Sequence, residues 1–317
     1  MSGLLATEQA YESAFESALI VRHDTPGVIE LDGADRLDLL HRLSTNDLED
    51  MPADSFRRTV FTDPVGRMID VVTVLALSNK VLLVTSTGRL QVMRDWLQRH
   101  IFFQDDVTVM VSERPWSLHG AYGPDAAALA PSGIPASDAL IASDQGVIWP
   151  IDRPVPGYLS LMRPDQSDPD LRAHPGAADV YEILRIEAGL PKMGAEIQDD
   201  SIPLEVGLWD EVSFEKGCYV GQEIIARMES RGKLAKQLVG VRLGSEAIPG
   251  STLEQSGKKV GTLRSVAQSP MLGWIGLASA RPAALSTEDG RVTISETENT
   301  AFLVELPFVA IETPTPS

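Results

Sequence analysis

Residues 57–86, RRTVFTDPVGRMIDVVTVLALSNKVLLVTS, restrict the fold more than any other stretch of this chain. The apolar runs are separated by Asp63-Pro64-Val65-Gly66 and by Ser78-Asn79-Lys80, whose residue types favour tight turns. Short apolar runs joined by such turns predict a meander of three antiparallel strands. The fold must therefore contain a sheet whose neighbouring strands follow one another along the chain.

Helical patterns stand on both sides of this meander. Before it, leucines repeat every three residues from Leu37 to Leu43, after a turn at Asp32-Gly33. After it, residues 88–100 place Leu90, Met93, Trp96, Leu97 and His100 on one face of a helix, and the strand DVTVMV follows. A meander covered by helices on one face predicts α+β architecture.

The remainder of the chain divides at about Lys236. A helix with inward-facing Val180, Ile183, Leu184 and Ala188 ends near Gly189, after a proline-rich stretch from 120 to 179 that we predict to be loop-rich. Beyond Lys236, short alternating runs separated by glycine and proline predict a small all-β barrel or sandwich. We therefore expect an α+β region over residues 1–236, a barrel over 237–311 and a frayed tail over 312–317.

Composition excludes several classes of protein. The net charge of −18 argues against direct nucleic-acid binding, because phosphate binding requires a positive surface. A single cysteine excludes an intramolecular disulfide and the zinc-finger patterns, and the five histidines never stand at metal-ligand spacing, so we expect no metal site. With no signal peptide and no apolar run of membrane-spanning length, the sequence predicts a cytoplasmic protein, or a mitochondrial matrix protein in a eukaryote.

The single cysteine, Cys218, lies in the segment EKGCYVGQEIIAR, residues 215–227. Residue type alone favours a buried structural cysteine, which is where most lone cysteines lie. The flanking Gly217 and Gly221 and the polar surroundings favour an exposed functional thiol. The nearby Lys216 stabilises a thiolate, whereas Glu215 opposes it.

Three further features are candidates for a ligand site. Glu187 lies on a different helix face from the apolar residues, so it is either solvated or available to pair with a planar amidine-like edge, such as that of a pterin. Arg227 and Arg231 belong either to an exposed basic turn or to a clamp for an anionic ligand. Asp70 lies in an apolar strand, where a buried carboxylate is costly unless it is used, although the strand's solvent face is the alternative.

The segment KGCYVGQEIIAR closely resembles the signature of the YgfZ family of folate-binding proteins, which are relatives of the aminomethyltransferase, or T-protein, of the glycine cleavage system. Five further segments in the family's order support the resemblance. They are LHRLSTNDL, GRMIDVVTVLAL, RIEAGLPKMGAEI with PLEVGLWDEVSFEKGCYVGQE, and GWIGLASAR.

The resemblance implies two intertwined T-protein-like folate-binding subdomains in a ring-like arrangement with the C-terminal barrel, and tetrahydrofolate as the cofactor. It implies that Glu187 meets the pterin, that Arg227 and Arg231 meet the acidic tail of the folate, and that Cys218 is the signature thiol. The rest of the implied signature loop is Lys216, Gly217, Tyr219, Gly221, Gln222 and Glu223. It also implies support for the assembly or repair of iron–sulfur clusters in client enzymes, including radical enzymes that modify tRNA.

Two departures distinguish this chain from related patterns. Arg42, Leu43 and Ser44 stand where YgfZ-like chains usually carry Gly-Gln before the threonine, and Asp70 precedes Val71 where aminomethyltransferases carry paired aspartates. The single aspartate and the Lys-Gly-Cys segment favour YgfZ over the T-protein. Two alternatives remain: a folate-dependent aminomethyl or methyl transferase, and a non-catalytic scaffold. The candidate catalytic residues are Cys218 and Asp70. The partners we expect are folate and iron–sulfur client or assembly proteins, with no membrane.

Overall fold

The computed structural model describes residues 2–113, 115–130, 133–163, 173–174, 176–287, 290–295 and 299–308. The expected frayed tail, 312–317, lies outside these ranges. The helices are α1 (Ser2–Glu16), α2 (Arg36–Leu43), α3 (Leu90–Arg99), α4 (Ala177–Glu187), α5 (Gln222–Arg231) and α6 (Pro282–Leu285). The strands are β1 (Leu19–Arg22), β2 (Gly27–Asp32), β3 (Ser55–Thr62), β4 (Met68–Ala76), β5 (Val81–Thr85), β6 (Thr108–Val111), β7 (Ser117–Tyr122), β8 (Ile141–Ala142), β9 (Gly146–Ile151), β10 (Gly157–Met162), β11 (Gln237–Leu243), β12 (Thr252–Gln255), β13 (Lys258–Ser269), β14 (Gly273–Ala280), β15 (Arg291–Ile294) and β16 (Thr300–Val304).

The first sheet has the order β3-β4-β5-β2-β6, and all its neighbouring strands are antiparallel. The predicted three-strand meander is thus confirmed as β3, β4 and β5. Leucines of α2 and two buried residues of α3, Met93 and Leu97, pack against Val72 and Val74 of β4. This core fixes the first sheet beneath its two helices.

A second antiparallel sheet, β1-β7-β10-β9-β8, takes β8, β9 and β10 from the stretch that we predicted to be loop-rich. The stretch does contain many loops, but its prolines concealed these three strands, because one proline lies within a strand and others lie in the adjoining turns. Pro150 is part of β9, but β8 pairs only with Val147 and Ile148, so Pro150 lies where β9 forms the edge of the sheet. An edge strand tolerates the missing N–H of proline. Helices α1 and α4 pack on this sheet through Tyr11 and Val180, among others.

The C-terminal strands close into a six-stranded barrel in the order β11-β14-β13-β12-β15-β16. Five of these strands coincide with the predicted alternating runs, and β12 is the one that the sequence pattern missed. Fully buried Val241, Leu253 and Leu263 lie in the barrel core. The predicted α+β architecture with a C-terminal barrel is confirmed. In the described part of the chain, no helix is both long and apolar enough to cross a membrane.

A buried ion pair joins α4 to the barrel. The Arg185 guanidinium donates to the Glu196 carboxylate at 2.9 Å and to the Ser265 hydroxyl of β13 at 2.9 Å. The Ser265 hydroxyl in turn donates to Glu196 at 2.5 Å. Arg185 also pairs with Glu182, whose side chain remains one third exposed, whereas the side chain of Glu196 is completely buried.

These two carboxylates allow a matched test of the join. Replacement of the buried one, Glu196→Ala, should reduce the free energy of unfolding by about 3–5 kcal/mol, since it leaves the buried guanidinium with only the partly exposed Glu182 as an ion-pair partner. The control Glu182→Ala should cost less, about 1 kcal/mol, because the Glu182 side chain is one third exposed and Arg185 keeps its buried partner Glu196. Urea unfolding of the three proteins measures both values, and equal losses would contradict the role given to Glu196.

Candidate functional site

The thiol loop, residues 213–221, is attached to the rest of the molecule by the side chain of Lys216. Its Nζ donates to the carbonyl oxygens of His41, Ser44 and Asn46, at 2.8 Å for the last two. These carbonyls belong to the end of α2 and the turn that follows it. Burial lowers the pKa of Lys216 to about 8, so the amine keeps its proton, and its three N–H donors, at neutral pH.

Cys218 itself is exposed. The preceding Gly217 is also exposed, whereas the following Tyr219 is buried among Leu204, Val212 and Ile225. Burial raises the pKa of the Tyr219 hydroxyl to about 12, so it stays protonated. The alternative of a buried structural cysteine is therefore wrong, because the chain buries Tyr219 but leaves the sulfur of Cys218 in solvent.

Gly221 ends the loop against the turn between β3 and β4. Its φ of +86° is in the left-handed region, and a Cβ here would lie 2.6 Å from the carbonyl oxygen of Asp63. The hydroxyl of Thr62 donates to the carbonyl oxygen of Val220 at 2.5 Å. This close approach requires glycine, and it fixes the start of α5, where Gln222 is half-buried and Glu223 is exposed.

Arg227 and Arg231 lie on α5, four residues apart and therefore on the same face. Both side chains are exposed, and neither forms an ion pair with any residue that the structure describes. Two unpaired guanidinium groups on one helix face can bind an anion from solvent.

Asp70 is completely buried on β4, on the same side as Val72 and Val74. Its carboxylate accepts hydrogen bonds from the backbone N–H of Val71 at 2.8 Å and of Ser86 at 3.1 Å. Burial raises the pKa of Asp70 to about 6, although these hydrogen bonds oppose the shift. The solvent-face alternative is thus wrong, and a buried carboxylate with no ion pair among the described residues remains.

Glu187, the last residue of α4, is also buried, with 6% of its surface exposed. The hydroxyl of Tyr11 lies 3.0 Å from both carboxylate oxygens, and the hydroxyl of Ser269 provides a second hydrogen bond. Burial raises the pKa of Glu187, and these hydrogen bonds oppose the shift. The alternative of a solvated glutamate is wrong because α1 and the end of β13 cover this face of α4.

The sequence pattern missed the residues that surround the two carboxylates. Tyr11 lies 176 positions away from Glu187, and no local pattern connects them. Near Asp70, the Arg89 guanidinium precedes α3 and reaches Asp199 at 3.3 Å and the sulfur of Met193 at 3.5 Å. The positive charge of Arg89 lowers the pKa of Asp70, against the larger effect of burial. The one sequence feature that could have identified Arg89 as a site residue was its position between a predicted strand and a predicted helix.

The structure groups some of the predicted residues and separates others. The thiol loop contacts the β3–β4 hairpin at Thr62, and Asp70 is paired with Phe61 of the same hairpin, so both lie in one part of the first sheet. Glu187 lies instead between α1 and the barrel. No cluster of three or more His, Cys, Asp or Glu side chains able to hold a metal ion occurs among the residues described.

Comparison with known proteins identifies what this arrangement is similar to. Residues 6–139 match the family described as the GCVT N-terminal domain. A putative chloroplastic transferase of Arabidopsis thaliana is 29% identical, over 97% of this chain and 75% of its own length. An aminomethyltransferase of Bacillus subtilis is 26% identical, over 80% and 76%. The glycine cleavage aminomethyltransferase T of Bartonella henselae superposes with a TM-score of 0.82 at 19% identity, over 96% and 89%, and so shows the fold.

The buried Asp70 has a measurable consequence for stability. Between a pKa of about 4 in the unfolded chain and about 6 in the folded protein, the folded state holds a proton that the unfolded state has lost. Stability must therefore fall as the pH rises through this window. Relative to Asp70→Asn, wild-type protein should lose roughly 2–3 kcal/mol between pH 4 and pH 7.

Chemical unfolding at several pH values measures this difference. The matched control is Asp152→Asn, which changes an exposed aspartate in the turn after β9 and should reproduce the wild-type pH curve. Parallel curves for wild type and Asp70→Asn would show that the Asp70 carboxyl has an ordinary pKa.

Proposed function

Because residues 6–139 match the GCVT N-terminal domain and the chain has the fold of the T-protein superfamily, we propose that it binds tetrahydrofolate, as a folate-binding protein of the YgfZ type. The observation that carries this proposal is the Glu187 carboxylate, which is buried without a cation among the described residues. A carboxylate offers about four acceptor positions, and Tyr11 and Ser269 use only part of them.

Glu187 is suited to the pterin ring. The ring presents adjacent N–H donors on an amidine-like edge, and two parallel hydrogen bonds to one carboxylate are stronger than separate ones. Burial strengthens this pairing, because water does not compete for the oxygens. A bound pterin edge would supply the donors that the buried carboxylate lacks.

The two exposed guanidinium groups of α5 are suited to the other end of the ligand. The glutamate tail of a folate carries carboxylates, and arginine binds carboxylates through two parallel N–H groups. Arg227 and Arg231 have no ion-pair partner among the described residues, so binding such a tail breaks no existing pair. In an otherwise acidic protein, this local positive charge favours an anionic tail over cationic ligands.

The exposed Cys218 suggests the biological role. We place it in the assembly or repair of iron–sulfur clusters in client enzymes, including radical enzymes that modify tRNA. One thiol is insufficient to hold a cluster, which ordinarily needs about four ligands, so any cluster would be shared with a partner protein. The charge of −18 favours contact with the enzymes over direct contact with the tRNA. The setting would be the cytoplasm, or the mitochondrial matrix in a eukaryote.

A second candidate function is folate-dependent aminomethyl transfer, which the position of Asp70 favours. A buried carboxyl with a pKa of about 6 is suited to general acid–base chemistry near neutral pH. Several relatives in sequence are named aminomethyltransferases. The two candidates differ in the side chain that each requires: Cys218 in the first and Asp70 in the second.

Folate binding can be tested by calorimetric titration with tetrahydrofolate under reducing conditions. Wild-type protein should bind saturably, and Glu187→Gln and Arg227→Ala should each weaken binding by roughly tenfold or more, since each loses a charged hydrogen bond of about 1.5–3 kcal/mol. The matched controls are Glu205→Gln, which changes another buried glutamate, and Arg99→Ala, which changes an exposed arginine of α3. Equal weakening by the controls, or no wild-type binding, would reject the site.

The two functions can be separated in a strain that lacks the native gene. Cys218→Ser should fail to restore the activity of iron–sulfur client enzymes, while the purified variant keeps wild-type folate affinity. Glu215→Gln, an exposed neighbour in the same loop, should restore activity fully. Full restoration by Cys218→Ser together with failure of Asp70→Asn would favour the transferase, and full restoration by both would favour a scaffold.

A further inference from the structure

Each N–H group of the Lys216 ammonium has a hydrogen-bond acceptor. Its three N–H donors meet three carbonyl oxygens, those of His41, Ser44 and Asn46. The last carbonyls of a helix have no partner within the helix, and a cation is favoured at that end. Lys216 thus supplies hydrogen bonds to the buried C-terminal end of α2 from a segment more than 170 residues further along the chain.

Apart from the Lys216 side chain, few contacts hold the thiol loop in place. Before the lysine, the Ser213 hydroxyl accepts from the backbone N–H of Lys216 at 3.2 Å, and the Ser213 N–H donates to the carbonyl of Thr45 at 2.9 Å. After it, a Cβ added at Gly217 would meet no atom within 4 Å. The thiol therefore stands between two anchors, the Lys216 ammonium and the buried ring of Tyr219.

We propose that Lys216 is a positioning residue, whose ammonium fixes the Cys218 thiol in place by tying the thiol loop to the end of α2 and the turn after it. This inference rests on the proposed function, in which the Cys218 thiol is the group that acts on a client protein. A thiol held in one position loses less conformational entropy when it meets a partner than a thiol on a mobile loop does.

The geometry also explains why lysine and arginine are not equivalent at this position. Three carbonyls converge on one nitrogen, which suits the three donors of an ammonium. A guanidinium spreads its donors over a planar fork and is unable to direct three of them at one point. Lys216→Arg keeps the charge but should release at least one carbonyl, and Lys216→Met keeps the apolar stem of the side chain but releases all three.

The single cysteine makes a direct test simple, because a nitroxide reagent labels Cys218 alone. Electron paramagnetic resonance then reports the mobility of the loop. With Lys216→Met, the rotational correlation time of the label should fall about twofold or more, as expected for a loop that gains nanosecond motion. Lys216→Arg should give a smaller fall. Leu263→Ala, which opens a cavity in the barrel core, is the control for general loss of stability, and its label should behave as in wild type.

Small amines separate the tie between loop and helix from the mere satisfaction of the carbonyls. In Lys216→Ala, added ethylammonium can supply N–H donors to the three carbonyls but has no covalent link to the loop, so the label should stay mobile, as it should with tetraethylammonium, which has no N–H donor. Wild-type label mobility in Lys216→Met, or recovery of slow label motion with ethylammonium alone, would overturn the proposal. The labelled protein is measured without folate or client enzymes, so failure of the proposed function would leave this result unchanged.

Discussion

The buried pair between Arg185 and Glu196 is the interaction on which the relative placement of the other parts depends. It joins α4, the segment after α4 and barrel strand β13 around one guanidinium. Removing both charges from water is costly, and the pair is tolerated only because the Ser265 hydroxyl and the Leu190 carbonyl complete its hydrogen bonds. Glu187 follows two residues after Arg185, so the same pair sets where its carboxylate lies.

Beyond this ion pair, a series of polar contacts connects the segment after α4 to the first sheet. The N–H of Met68 donates to the carbonyl of Ser201 at 2.8 Å, and the hydroxyl of Thr45 donates to the carbonyl of Glu211 at 2.6 Å. The thiol loop comes next and is attached to the end of α2 by the Lys216 contacts. Each of these hydrogen bonds uses a backbone group that has no partner within a sheet or helix. They explain how the irregular segment between α4 and α5 remains ordered.

The sequence predicted those parts of the fold in which one face is buried along a regular element. Leu40 and Leu43 of α2, and the run that became β4, carry their periodicity in consecutive residues. The second sheet and β12 escaped prediction because their strands are short and interrupted, as at Pro150. For the site residues too, only what neighbouring residues determine could be predicted. The glycines that flank Cys218 indicate its exposure, whereas the burial of Glu187 depends on the distant Tyr11.

Unpaired buried carboxylates provide the strongest physical link between this fold and a ligand. Asp70 and Glu187 both have a raised pKa because burial disfavours their charge and no cation pairs with them in the described structure. A carboxylate needed only for packing could be replaced by an amide or an apolar residue at a gain in stability. The burial of these two carboxylates, each with acceptor capacity to spare, is explained if a bound molecule supplies donors. Binding would then compensate for the stability that burying an unpaired carboxylate costs.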